Sequence, residues 1–147
     1  MVIGLAAALH AARGADITGT VTLKGTPPKE VAITPMMDDP TCSKFHKTVP
    51  TTHFYVVGPK GELGDVIVSV QGISGKSTGA SAPPVVLDQK GCEYVPSIFA
   101  VQTGQKITVR NSDPVLHNVH DVPSGTSGNK EKNEAQMPNG PDLTFSF

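Results

Sequence analysis

Apolar and polar residues alternate along this chain with a period of two, and turn residues cut each run short. In Ile17–Leu23, positions 17, 19, 21 and 23 face one way and Thr18, Thr20 and Thr22 the other. Asp65–Val70 sets Val66, Val68 and Val70 on one face, which predicts a central strand. Lys106–Arg110 reads as a half-buried strand with Ile107 and Val109 inward and Lys106, Thr108 and Arg110 outward. Further short strands are predicted at Val31–Ile33, His53–Val57, from Pro84 to Leu87, within Cys92–Gln102, at Val115–Val122 and at Leu143–Phe147. Pro96 marks an edge or a bulge. Turns are expected at Lys24–Pro28, Gly58–Gly61, Gly104–Gln105 and Asn111–Pro114. Met36–Pro50 reads as an irregular loop or a single helical turn, and Gly72–Ala82 and Ser124–Gly140 as polar loops. A helical period of 3.6 is absent after the first residues, so no helical crossover is available to join parallel strands. Seven to nine short strands of this kind predict an all-β fold, an antiparallel Greek-key β-sandwich in one domain over residues 15–147.

Composition narrows the partners. Twelve Lys and Arg against 13 Asp and Glu leave a formal net charge of -1. That balance gives no electrostatic reason to expect nucleic acid or an anionic membrane as partner. With 37% hydrophobic residues and no Trp, the core must come from Val, Ile, Leu and a few Phe. The 15 Gly and 13 Pro suit many turns rather than helices.

Residues 1–14 form a separate piece. Val2–Ala12 is apolar and Ala-rich, too short to span a bilayer, which takes about 20 residues. It reads as the remnant of a secretory signal peptide, with Ala12 and Gly14 as the small residues before a mature start near Ala15. A basic n-region is missing, and the other reading is a short helix packed on the domain. The signal reading predicts a periplasmic or extracellular protein that is not an integral membrane protein. In that compartment the two cysteines, Cys42 and Cys92, favour a disulfide over two unrelated buried thiols. Neither lies in a C-x-x-C pair, which argues against a zinc ribbon or a thioredoxin site.

Five histidines remain to be placed: His10, His46, His53, His117 and His120. His117 and His120 follow a strand and a turn, in Asn111-Ser-Asp-Pro-Val-Leu-His117-Asn118-Val-His120. The run from Gly104 to Val119 resembles the first metal-ligand segment of cupredoxins, the plastocyanin-like blue copper proteins. Ile17–Pro28, Asp65–Val70 and Gly91–Pro96 are similar to segments of a bacterial group of exported cupredoxin-like proteins. That group commonly has His after the position of Pro96, where this chain has Ser97. The resemblance implies copper as cofactor, electron transfer as function, and a redox partner protein. It makes His117 the first copper ligand and Asn118 a residue that ties ligand loops together. Blue copper takes two imidazoles and a thiolate in a plane, with a weak axial thioether. The Cys–x–His–x–Met type of loop that supplies the rest follows a strand such as Leu143–Phe147, where this chain ends. The chain is therefore read as a C-terminally truncated cupredoxin-like domain carrying only the first ligand segment.

Two other readings remain open. One is a non-catalytic β-sandwich module that binds no metal. The other is a histidine site for Cu(II) built from His117, His120 and His53, although i and i+3 on a strand point to opposite faces. No G-x-S-x-G, P-loop or G-x-G-x-x-G is present, so no enzyme is expected. An incomplete sheet also predicts self-association through an open edge.

Overall fold

The computed structural model describes residues 17–72 and 74–147, and the expected signal over residues 1–14 lies outside them. Among the described residues helix is confined to one turn, α1 (Pro35–Asp38), and two 3-10 turns, Cys42–Phe45 and Gly79–Ser81. Six strands follow: β1 (Val85–Lys90), β2 (Glu93–Val95), β3 (Ile107–Asn111), β4 (His117–Asp121), β5 (Lys132–Gln136) and β6 (Leu143–Phe145). They form a four-stranded sheet in the order β2-β1-β3-β6 and a two-stranded sheet, β4-β5. The chain leaves the first sheet after β3, makes the β4–β5 hairpin, and returns so that β6 lies antiparallel beside β3.

The β1–β2 connection is a two-residue hairpin. Gly91 and Cys92 both have positive φ, 69° and 61°, the conformation that matches the twist of the flanking strands. β2 therefore occupies one edge of β1, and β3 takes the other. The segment between them carries the chain back to the starting end of the sheet, so β1 and β3 run parallel, with Val85 opposite Ile107 and Gln89 opposite Asn111. This pairing departs from the wholly antiparallel arrangement expected.

Ile107 and Val109 do face inward. With Val119 and Phe145 they form the buried core, and Leu87, Phe99, Val101, Leu143 and Phe147 pack against it. Val119 comes from β4, so the two sheets face each other across this cluster as a sandwich. A polar bridge completes the contact. Gln136, only 2% exposed, donates its amide to the Val109 carbonyl at 3.0 Å and to the Pro141 carbonyl at 3.1 Å, and accepts from Gln89 at 2.7 Å. β5 lies inside the segment expected to be a loop. Its Lys-Asn-Glu-Ala-Gln sequence has no apolar face, and backbone pairing with β4 holds it.

The N-terminal half is looser. The strands expected at 17–23, 31–33 and 53–57 reduce to single bridges, Thr22 with Glu62, Ala32 with Thr51 and Val57 with Leu63. Asp65–Val70 forms no ladder among the described residues, and Val68 and Val70 stand 77% and 63% exposed. The alternation is there, but no described strand covers it. A disulfide between Cys42 and Cys92, with Cα atoms 5.7 Å apart, fastens this half to the hairpin tip across a sequence separation of 50. Closing a loop of that length stabilises the fold by about 4 kcal/mol in the chain-entropy model. No described helix is long and apolar enough to cross a membrane.

Candidate metal centre

The turn Asn111–Pro114 links β3 to β4 and builds the site. The Asn111 side chain organises it from inside: its Oδ1 accepts the Asp113 N–H at 2.9 Å. Its Nδ2 donates to the carbonyls of Val115 at 2.8 Å and Gln136 at 3.1 Å. Asn111 and Asp113 are both buried, so these polar groups are satisfied within the protein rather than by solvent.

Asp113 then reaches across to the β1–β2 hairpin. Its Oδ1 accepts the Gly91 N–H and its Oδ2 the Cys92 N–H, each at 2.7 Å. The same Oδ2 lies 2.8 Å from His117 Nε2. Burial works against ionisation of Asp113, but the Cys92 N–H, His117 and the Gly91 N–H outweigh it and hold the carboxyl below its ordinary pKa. An ionised carboxylate only accepts, so His117 Nε2 carries the ring proton and Nδ1 the lone pair. Among the described residues Nδ1 has no hydrogen-bond partner. The imidazole borders a cavity of about 240 Å³ whose walls include Gln89, Tyr94, Leu116 and Asn118.

This is the arrangement in which a histidine serves a metal. One ring N–H is held by a carboxylate, which fixes tautomer and ring orientation, and the other nitrogen is available. Asp113, which the sequence presents as a turn residue, is therefore the residue that orients His117. The signal for it was the spacing Asp113-Pro-Val-Leu-His117, which brings the two side chains together around a tight turn.

The other histidines lie elsewhere. On β4, residues 117, 119 and 121 point inward and 118 and 120 outward. His120 is exposed and pairs with Glu131 at 2.6 Å. His46 Nε2 meets the Gly91 carbonyl at 2.7 Å. Among the described residues, the one group of three metal-competent side chains with ligand atoms within 4.8 Å of one another is Cys92, Asp113 and His117. The site from His117, His120 and His53 is thus not assembled, because strand geometry turns His120 away. Asn118 donates to Asn133 Oδ1 at 2.6 Å across the β4–β5 pair.

The donor set decides how much of a copper centre the described residues hold. Cys92 Sγ is committed to the disulfide, and Met137 is 62% exposed in the turn after β5. One imidazole fits a ligand position. A second imidazole, a thiolate and a thioether do not converge on it, so the described residues do not make a complete copper site.

Sixty-four residues of the chain are 36% identical to plastocyanin B'/B'' of Nicotiana tabacum. Plastocyanin A'/A'' of the same plant matches over the same length with the same identity. Each match takes in 40% of this chain and 65% of the tobacco protein, so the chain spans less than two thirds of these relatives. No family model matches the chain, and no solved structure matches it significantly. The similarity supports a cupredoxin-like relationship and agrees with the all-β sandwich.

Proposed function

We propose that this chain is the first-ligand part of an exported copper electron carrier, with His117 as the copper ligand it contributes. The observation that carries the reading is the pinned imidazole: Asp113 holds Nε2–H at 2.8 Å and leaves Nδ1 as the nitrogen with a free lone pair. The similarity to plastocyanins points the same way. Copper would supply one-electron exchange. The part of this chain is to hold one nitrogen fixed, so that the ligand moves little between oxidation states. The reading requires a second imidazole, a thiolate and a thioether from outside the described residues. A redox partner protein delivers and removes the electron, and the chain itself catalyses no substrate turnover. The disulfide suits a periplasmic or extracellular location.

The test is the complete gene product. It is expected to contain a Cys, His and Met cluster downstream and to bind one copper with an intense thiolate-to-copper visible band, lost in His117→Ala. A stop codon directly after Phe147 refutes the electron-carrier reading. The second reading, a module without metal, is favoured by one observation: the cysteine nearest His117 is oxidised to a disulfide. It predicts no stoichiometric copper in the complete protein.

A further inference from the structure

The disulfide lies against the residues that position His117. Cys92 Sγ, an Asp113 oxygen and a His117 nitrogen lie within 4.8 Å of one another. They come from three places, the hairpin tip, the β3–β4 turn and the first residue of β4. Two of them are held independently of the bridge. Asp113 accepts the N–H groups of Gly91 and Cys92, which fixes the backbone on which Cys92 sits, and it orients the His117 ring. Cys42 belongs to the other half, in a 3-10 turn whose described hydrogen-bonded tie to the hairpin is His46 Nε2 to the Gly91 carbonyl. When the bridge opens, the two sulfurs can no longer stay in bonding contact. The side free to move is Cys42.

We propose that the Cys42–Cys92 disulfide gates an alternative metal site that shares His117: reduction frees the Cys92 sulfur to join Asp113 and His117 in binding a divalent cation of the Zn²⁺ class. The chemistry of the three groups selects that class. A thiolate, an imidazole and a carboxylate with a fourth position open to water is a zinc-type donor set, whereas oxygen-only ligands would suit Mg²⁺ or Ca²⁺. Zinc binds sulfur at about 2.3 Å and nitrogen at about 2.0 Å, which puts tetrahedral donors roughly 3.5 Å apart. From separations of up to 4.8 Å, that needs a contraction of about 1 Å, which a side-chain rotation of Cys92 supplies.

The steps balance. An external dithiol reduces the bridge: its two sulfurs become a disulfide, and its two protons and two electrons pass to Cys42 and Cys92. The cation then replaces the proton of the Cys92 thiol, releasing one proton per metal. For Asp113 and His117 to share the cation it must sit between Asp113 Oδ2 and His117 Nε2, which are 2.8 Å apart; the imidazole stays neutral, its proton passing from Nε2 to Nδ1 as the cation takes its place. In the oxidised chain Cys92 sulfur is bonded to Cys42 and is no thiolate, so the site is closed. This site uses only described residues and does not depend on the copper reading. The copper experiment keeps the bridge intact, so the two can fail separately.

The test is Co²⁺ titration of the full 147-residue chain, with Co²⁺ as a coloured substitute for Zn²⁺. Cys42→Ser frees Cys92 without reductant. It is expected to bind one Co²⁺ per chain with thiolate-to-cobalt absorption, as is the wild-type chain reduced by a phosphine. The oxidised wild-type chain shows no such band. Adding Cys92→Ser abolishes it, and adding Asp113→Asn or His117→Ala weakens binding by about tenfold or more. If the bridge-free chain unfolds, Zn²⁺ is expected to restore its thermal transition in a concentration-dependent way, because the cation binds only the folded arrangement. Absence of both the band and the stabilisation overturns the proposal. So does a band that survives His117→Ala at unchanged affinity.

Discussion

Replacing Asp113 by Asn keeps its shape and removes its charge, which isolates what the carboxylate does. Its side chain is 4% exposed and accepts from Gly91, Cys92 and His117 at 2.7, 2.7 and 2.8 Å. An amide has one acceptor oxygen. Placed at the Oδ2 position, it keeps Cys92 and His117, and its NH₂ then confronts the Gly91 N–H. One donor left unpaired costs about 1–3 kcal/mol, and loss of charge assistance in the two remaining bonds adds about 1 kcal/mol. Relief of the desolvated charge returns roughly 1 kcal/mol. The net expectation is a loss of about 2 kcal/mol at neutral pH, read by guanidinium unfolding.

A second signature is pH dependence. The folded-state pKa of Asp113 lies below its ordinary value. The stabilisation is therefore present above the unfolded pKa of about 3.9 and is lost as the pH falls through the folded value. Wild-type stability should fall on acidification below about pH 4 more steeply than that of Asp113→Asn. An Asn variant within about 0.5 kcal/mol of wild type at pH 7 with the same acid slope would refute the assignment of Asp113 as the hub of the site.

Gln136→Ala removes the polar bridge between the sheets and orphans the Gln89 amide, and is expected to cost about 2–3 kcal/mol in the same unfolding assay. Gly79→Ala would drive a methyl group into the Thr103 carbonyl, with Gln105 N at 2.7 Å and Gln102 O at 2.9 Å. It should cost about 2 kcal/mol or more, visible as a lowered Tm. Among the described residues β2 and β6 are edge strands, and with the exposed Val68 and Val70 they predict self-association of this chain, which a monomer in sedimentation velocity at high concentration would contradict.

The sequence was most legible where one strand face is buried. Ile107 and Val109 alternate with Thr108 and Arg110, and both are in the core. Asp65–Val70 carries an equally clear pattern and forms no ladder, because alternation records a strand's capacity to pair and not the presence of a partner. β5 was missed for the opposite reason: apart from Gln136 its side chains are exposed, so nothing apolar marks it. His117 stood out through the motif around it. Asp113 was passed over because a turn Asp in Asn-Ser-Asp-Pro is the usual occupant of such a turn, and only the folded hairpin shows that its carboxylate is shared.

The parallel pairing of β1 with β3 has a consequence for the order of assembly. The β1–β2 hairpin closes over two residues and can form on the microsecond scale. The β1–β3 ladder cannot begin until the chain from β2 to Ile107 has been gathered, and β6 must wait for the second sheet to be laid down. Gly91 and Cys92 are thus in place early, whereas the carboxylate that caps them arrives only with β3. The backbone N–H groups of Gly91 and Cys92 at the hairpin tip thus depend for their hydrogen-bond acceptor on a carboxylate from a later part of the chain, Asp113 in the turn after β3.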